Sequence, residues 1–161
     1  MRREDLQRLF EEVRSGVCTP EAAAERLATL PFLPATELLL DTHRELRTGA
    51  PETVFAQGKT PTQCADAAAG LAAAHHRVFV TRADEAAAAA VQARLPGTRW
   101  HPEAGCLIWR EREPERHGRV LVVSAGTSDR PVAEEAALTA DFLGAEVERI
   151  ADVGVAGLPR L

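Results

Sequence analysis

Arg119-Val120-Leu121-Val122-Val123, followed by Ser124-Ala125-Gly126-Thr127-Ser128-Asp129, is the stretch on which the fold turns. A continuous apolar run reads as a strand covered on both faces, and the polar, glycine-bearing stretch after it as a loop. Pro131 to Leu143 reads as a helix, with Val132, Ala136, Thr139, Ala140 and Leu143 on one stripe and Gly144 as its stop. Glu146-Val147-Glu148-Arg149-Ile150 is the next strand, and Asp152-Val153-Gly154-Val155-Ala156-Gly157 the loop beyond it. Strand, helix and strand with short connections make a right-handed βαβ unit. The fold class is therefore α/β with parallel pairing.

Ligands of open parallel sheets sit beyond the carboxyl ends of the strands, and both loops lie at such ends. Ser124, Thr127 and Ser128 offer hydroxyls to a phosphate oxygen, and Gly126 lets the backbone approach closely. The helix that follows brings free N–H groups and the positive end of its dipole, a natural anion seat. In the second loop Gly154 and Gly157 allow the same approach, and Arg160 suits a bidentate pair with phosphate. The same Ser128-Asp129 pair is also an ordinary helix cap, Asp129 accepting from backbone N–H groups. A lone parallel pair cannot cover its faces and edges, yet the sequence stops at Leu161. The expectation is that a partner chain completes this sheet or that the sequence is a fragment.

Upstream, residues 4–15 carry Leu6, Leu9, Phe10 and Val13 at helical spacing. Thr19-Pro20-Glu21 opens a second helix through about Leu30, ended by Pro31 and Pro34. Residues 1–36 thus read as a helical arm for packing or a dimer contact. Residues 37–117 read as a small α/β domain. Within it Glu37 to Leu40 is a short apolar run, Thr60-Pro61 starts a helix to about Ala74, and Arg77 to Thr81 is a strand. Asp84 to Arg94 is a second alanine-rich helix and Cys106 to Trp109 a strand, with the polar segment 110–118 as the boundary.

Asp41, Arg44 and Arg47 share a face if their segment is helical. They read either as a surface ion-pair set or, with Lys59, as an anion-binding patch. Gly58-Lys59-Thr60 is not a P-loop, because position 53 is threonine and Pro61 interrupts the phosphate-cradling helix. His75-His76 lacks a third metal ligand at useful spacing, and Cys106 reads as a buried thiol.

The 161 residues are 45% hydrophobic and 27% charged, a globular balance. Nineteen basic against 24 acidic residues give a net charge of −5, and Lys59 is the only lysine. Without a cation cluster a general nucleic-acid partner is not expected. No apolar run reaches the ~18–20 residues of a membrane span, and Met1-Arg2-Arg3 opens no apolar signal core. Cys18, Cys64 and Cys106, odd in number and widely spaced, fit a reducing cytoplasm.

Three blocks together carry a resemblance: Asp41-x-x-Arg44-x-x-Arg47-x-Gly49-x-Pro51-Glu52 with Gly58-Lys59-Thr60, then Ser124 to Ala136, then Asp152 to Leu158. From about residue 37 onward the chain resembles the LarB family, synthases of pyridinium-3,5-biscarboxylic acid mononucleotide in nickel-pincer cofactor biosynthesis. The second domain of that family is similar to aminoimidazole ribonucleotide carboxylases, so residues 118–161 would be the first βαβ unit of such a domain, truncated. Family members carboxylate the pyridinium ring of nicotinic acid adenine dinucleotide, using carbon dioxide or bicarbonate, and hydrolyse the phosphoanhydride to release AMP.

By that likeness Ser124, Gly126, Thr127, Ser128 and Asp129 bind the ribose phosphate, while Asp152, Gly154, Ala156 and Gly157 border the ring. Asp41, Arg44, Arg47 and Lys59 become contacts to substrate or to a neighbouring subunit, in a homo-oligomer when full length. The family cysteine, which adds to the ring and generates an enamine able to attack carbon dioxide, falls beyond Leu161. No catalytic residue is therefore assigned here. Pro159 also stands where the family usually has histidine. No cofactor is assigned, magnesium being left open. Two other readings remain: an imidazole ribonucleotide carboxylase or mutase, and a non-catalytic nucleotide-binding or assembly module.

Overall fold

A computed structural model of the chain describes residues 3–28, 32–35, 38–42 and 44–154. Helices α1 (Arg3–Arg14) and α2 (Pro20–Ala28) form the expected front end, packed through Leu9, Cys18 and Ala23. The chain then forms a hairpin: β1 (Phe32–Ala35) pairs antiparallel with β2 (Leu38–Asp41). Proline at 34, read as a helix stop, sits inside this short strand, so the hairpin straddles the expected limit at residue 36. Helix α3 (Arg44–Thr48) follows, then β3 (Val54–Phe55), α4 (Pro61–His75), β4 (Arg77–Thr81) and α5 (Glu85–Arg94). Next come β5 (Arg99–His101) and β6 (Cys106–Arg110).

Local chemistry sets these boundaries. Thr60 caps α4, its hydroxyl accepting from Gln63 N–H at 3.2 Å while the Gln63 side chain accepts from Thr60 N–H at 2.9 Å. Asp84 caps α5 by accepting from Ala87 N–H at 2.8 Å. Glu45 of α3 reaches Arg77 and lies 3.4 Å from the buried ring of His75. Burial pushes its carboxyl up, but His75 and Arg77 outweigh burial and hold it below the usual value.

The four-stranded sheet has the order β3-β4-β6-β5, with β3 parallel to β4 and the other pairs antiparallel. Strand alternation gives it two different faces. Val78, Val80 and Leu107 pack under the alanine-rich α4 and α5, with Cys64, Ala68, Leu71 and Val91. Phe79, Cys106 and Ile108 point the other way, and the βαβ unit covers them.

That unit is β7 (Arg119–Val123), a 3₁₀ turn (Thr127–Asp129), α6 (Arg130–Phe142) and β8 (Glu146–Ile150). The strands are parallel and in register from Arg119↔Glu146 to Val123↔Ile150, as expected. The buried stripe of α6 is not the expected one. Ala137, Leu138 and Phe142 are buried, and Leu138 and Phe142 pack against Phe79, Cys106 and Ile108, whereas Val132 and Leu143 are exposed. The helix has two apolar faces, and the neighbouring sheet selects the one carrying the large aromatic. Nor is β7 covered on both sides among the described residues. Leu121, Val123 and Ile150 stand exposed on the face turned away from α6.

Polar contacts rim the α6 seam. Asp141 accepts from Arg110 at 2.6 Å and from Arg116 at 2.7 Å, Glu135 pairs with Arg82 and Thr81, and Arg77 donates to the Phe142 carbonyl. Gly144 closes the helix with φ +102°, and His117 N–H donates to its carbonyl at 2.9 Å. A β-carbon there would stand 2.7 Å from the Glu115 carbonyl oxygen. Gly144→Ala is expected to cost more than about 1 kcal/mol, since alanine meets both a disfavoured φ and fixed backbone. A urea denaturation midpoint unchanged from the parent would refute it.

Candidate functional site

In-register parallel pairing ends β7 and β8 at the same edge, so the loops after them emerge side by side. Backbone hydrogen bonds stitch them together: Ser124 N–H donates to the Ile150 carbonyl at 3.0 Å, and Val153 N–H to the Ser124 carbonyl at 3.1 Å. Between them and the start of α6 lies a cavity of about 460 Å³. Ser124, Gly126 and Thr127 line one side, Arg149 and Asp152 another, and Arg130 and Glu134 the helix side.

Of the residues expected from the sequence, Ser124, Gly126, Thr127 and Asp152 thus meet at one cavity. Ser128 and Asp129 are not part of its lining. Asp129 folds back within the turn, accepting from Gly126 N–H at 2.9 Å. Gly154 packs toward Ala125, where a β-carbon would make ordinary contact at 3.6 Å. Ala156, Gly157 and Arg160 lie outside the described residues. The backbone at Gly126 is extended (φ −115°), and a β-carbon there would meet nothing nearer than 3.7 Å. The fold itself does not demand glycine at this position.

Two of the amides at the head of α6 are not left free. The 3₁₀ turn uses them: Asp129 N–H donates to the Gly126 carbonyl, and Arg130 N–H to that of Thr127. Pro131 has no N–H to offer. The hydroxyls of Ser124, Thr127 and Ser128, by contrast, make no hydrogen bond among the described residues. Side-chain donor capacity at this cavity therefore rests on hydroxyls and on two arginines.

Those arginines escape a reading of the sequence. Arg149 donates through Nε to Glu134 at 2.9 Å, and Arg130 Nε lies 3.1 Å from Glu103. Period-two alternation along β8 could have turned Arg149 toward α6 with Val147, but nothing local marks that face as the polar end of a cavity.

The first-domain set is arranged differently. Arg47 forms a two-pronged ion pair with Asp41, which lies at the end of β2 rather than on the helix that bears Arg44 and Arg47. Lys59 Nζ donates to the Phe55 carbonyl at 2.8 Å. Arg44 is exposed, and none of the four lines the cavity. The ion-pair reading describes Asp41 and Arg47, and Lys59 is turned to the backbone instead of joining them.

All three cysteines are buried and free. Burial, helped by nearby Glu135, pushes the Cys106 thiol up to about 11 despite the Thr81 hydroxyl. Burial also raises Cys64. These two stay protonated at neutral pH and are poor nucleophiles. No group of three or more His, Cys, Asp or Glu side chains among the described residues is placed to hold a metal ion.

A family model for the LarB/PurE-like N-terminal domain matches residues 36–112. An uncharacterized protein of Methanocaldococcus jannaschii is 33% identical over 135 residues, which span 77% of this chain and 51% of that protein. The chain thus covers about half the length of that relative.

Proposed function

From the membership of residues 36–112 in the LarB/PurE-like N-terminal domain family, we propose that the chain serves the carboxylation of a pyridinium dinucleotide. The reaction is that of a synthase in nickel-pincer cofactor biosynthesis. Nicotinic acid adenine dinucleotide gains a carboxylate at its free meta carbon from carbon dioxide or bicarbonate. Hydrolysis of the phosphoanhydride then gives pyridinium-3,5-biscarboxylic acid mononucleotide and AMP. The observation that carries the reading is the cavity between the two stitched loops, with the Ser124 and Thr127 hydroxyls unpartnered on its wall.

The part of this chain's residues is to bind and orient. Ser124 and Thr127 donate to the nucleotide phosphate, and the close backbone at Gly126 leaves room for its oxygens. Asp152, at the mouth of the second loop, borders the ring. Covalent activation of the ring calls for a thiolate, and the raised Cys64 and Cys106 do not supply one. The proposal includes a homo-oligomer at full length, a cytoplasmic location, and neither nucleic acid nor membrane as partner. No helix among the described residues is long and apolar enough to cross a membrane.

Calorimetry with nicotinic acid adenine dinucleotide tests the reading. Replacing Ser124 by alanine and Thr127 by valine together should weaken binding about tenfold or more, since charge-assisted hydrogen bonds contribute about 1.5–3 kcal/mol each. Unchanged affinity in the double variant would refute the site. Tighter binding of aminoimidazole ribonucleotide would move the chain to the imidazole ribonucleotide carboxylases and mutases.

A further inference from the structure

We infer that Arg149 and Arg130 form a second anion seat in this cavity, which takes the second phosphoryl group of a phosphoanhydride and makes the site prefer a dinucleotide to its mononucleotide. The inference rests on the nucleotide reading above and adds to it the residues that set specificity.

The two guanidinium groups come from different elements, Arg149 from β8 and Arg130 from the first position of α6, and line the same cavity. Among the described lining residues they are the only cations. Arg149 donates through Nε to Glu134 at 2.9 Å, and Arg130 Nε lies 3.1 Å from a Glu103 carboxylate oxygen without a hydrogen bond between them. A guanidinium carries five N–H donors, four of them on its two Nη atoms. No described protein group accepts from any Nη of either arginine. An arginine serving only a structural ion pair favours the fork-on-fork arrangement, in which both carboxylate oxygens are engaged. At Arg149 the carboxylate grips one side of the fork and leaves its far end open. Glu134, which accepts from Arg149 Nε, is thus a positioning residue.

The rest of the wall supports this division. Ser124 and Thr127 can give two donors to one phosphoryl group, and the amides of Asp129 and Arg130 are already used inside the turn. Among the described side chains lining the cavity, only the arginines carry positive charge for a second phosphoryl group. With Glu134 and Asp152 also on the wall, the lining carries two positive and two negative side chains. A single phosphate gains little net attraction from it. A ligand able to reach both Nη ends gains two charge-assisted contacts.

The test compares two probes, nicotinic acid adenine dinucleotide and nicotinic acid mononucleotide, by calorimetry on the parent chain, Arg149→Gln, Arg130→Gln and Ser124→Ala. Each arginine variant should weaken the dinucleotide about tenfold, equivalent to about 1.4 kcal/mol, and the mononucleotide less than twofold. Ser124→Ala should weaken both probes alike. Arg149→Lys, which keeps the charge but loses the fork, should fall between parent and glutamine, and it guards against a glutamine variant that misfolds. Equal loss of both probes in the arginine variants, or loss of neither, overturns the inference while leaving the nucleotide site standing. Failure of the parent chain to bind either probe overturns both.

Discussion

Replacing Phe142 with alanine should lower the free energy of unfolding by about 3–5 kcal/mol, the range for removing a large buried aromatic. Phe142 is 2% exposed and stacks on Phe79 with ring centroids 5.3 Å apart. The guanidinium groups of Arg77 and Arg110 lie 5.4 Å and 5.7 Å from its ring centre. Truncation would remove the ring that fills the contact between α6 and the back of the sheet, along with two cation–π contacts worth about 0.5–1 kcal/mol each where solvent reaches them. Little can close the gap, because Phe79, Cys106 and Ile108 are fixed in strands. Phe142→Leu should lose much less, since it leaves a smaller void. Urea denaturation followed by circular dichroism reads both. An alanine variant within 1 kcal/mol of the parent would show that this packing is not what holds the helix.

Asp141→Asn is expected to cost about 2–3 kcal/mol at neutral pH. Its carboxylate accepts from Arg110, whose side chain is only 4% exposed, and from Arg116. Removing one partner of a buried pair leaves a poorly compensated charge, commonly a loss of about 3–5 kcal/mol. Glu113, 2.8 Å from Arg110, survives as a partner and keeps the loss below that range. The pH dependence follows from the same contacts. Burial pushes the Asp141 carboxyl up, but the hydrogen bonds from Arg110 and Arg116 outweigh it and hold it below the ordinary 3.8. A folded-state value below the unfolded one gives stability that is present above 3.8 and lost as pH falls through the folded value. The gap between parent and variant should therefore be widest near neutrality and narrow in strong acid. A gap independent of pH would deny the carboxylate this role.

Much of the architecture was legible because it is locally encoded. The apolar run at 120–123, the stop at Gly144 and the caps at Thr60 and Asp84 each act within a few residues. Strands β3 and β5 were not, being two and three residues long and held by partners far along the chain. The buried stripe of α6 failed for a related reason. Periodicity finds an apolar face, but the choice between Val132–Leu143 and Leu138–Phe142 belongs to a sheet formed some thirty or more residues earlier.

The site divides along the same line. Ser124, Thr127 and Asp152 were visible as loop chemistry at strand ends. Arg130 and Arg149 were not, because an arginine is informative only once its free donors are known. Two of the amides thought available at the helix head, those of Asp129 and Arg130, are used by a 3₁₀ turn that composition does not announce.

Helix α6 belongs by connectivity to one unit and by burial to another, and this bears on how such chains can be dissected or recombined. A protein cut after residue 112 would keep the segment that matches the family yet leave Phe79, Cys106 and Ile108 facing water. The boundary that homology draws is therefore not a boundary at which the polypeptide can be spliced. Any chimaera that grafts this domain onto a foreign partner must carry the helix with it or redesign the surface it leaves behind.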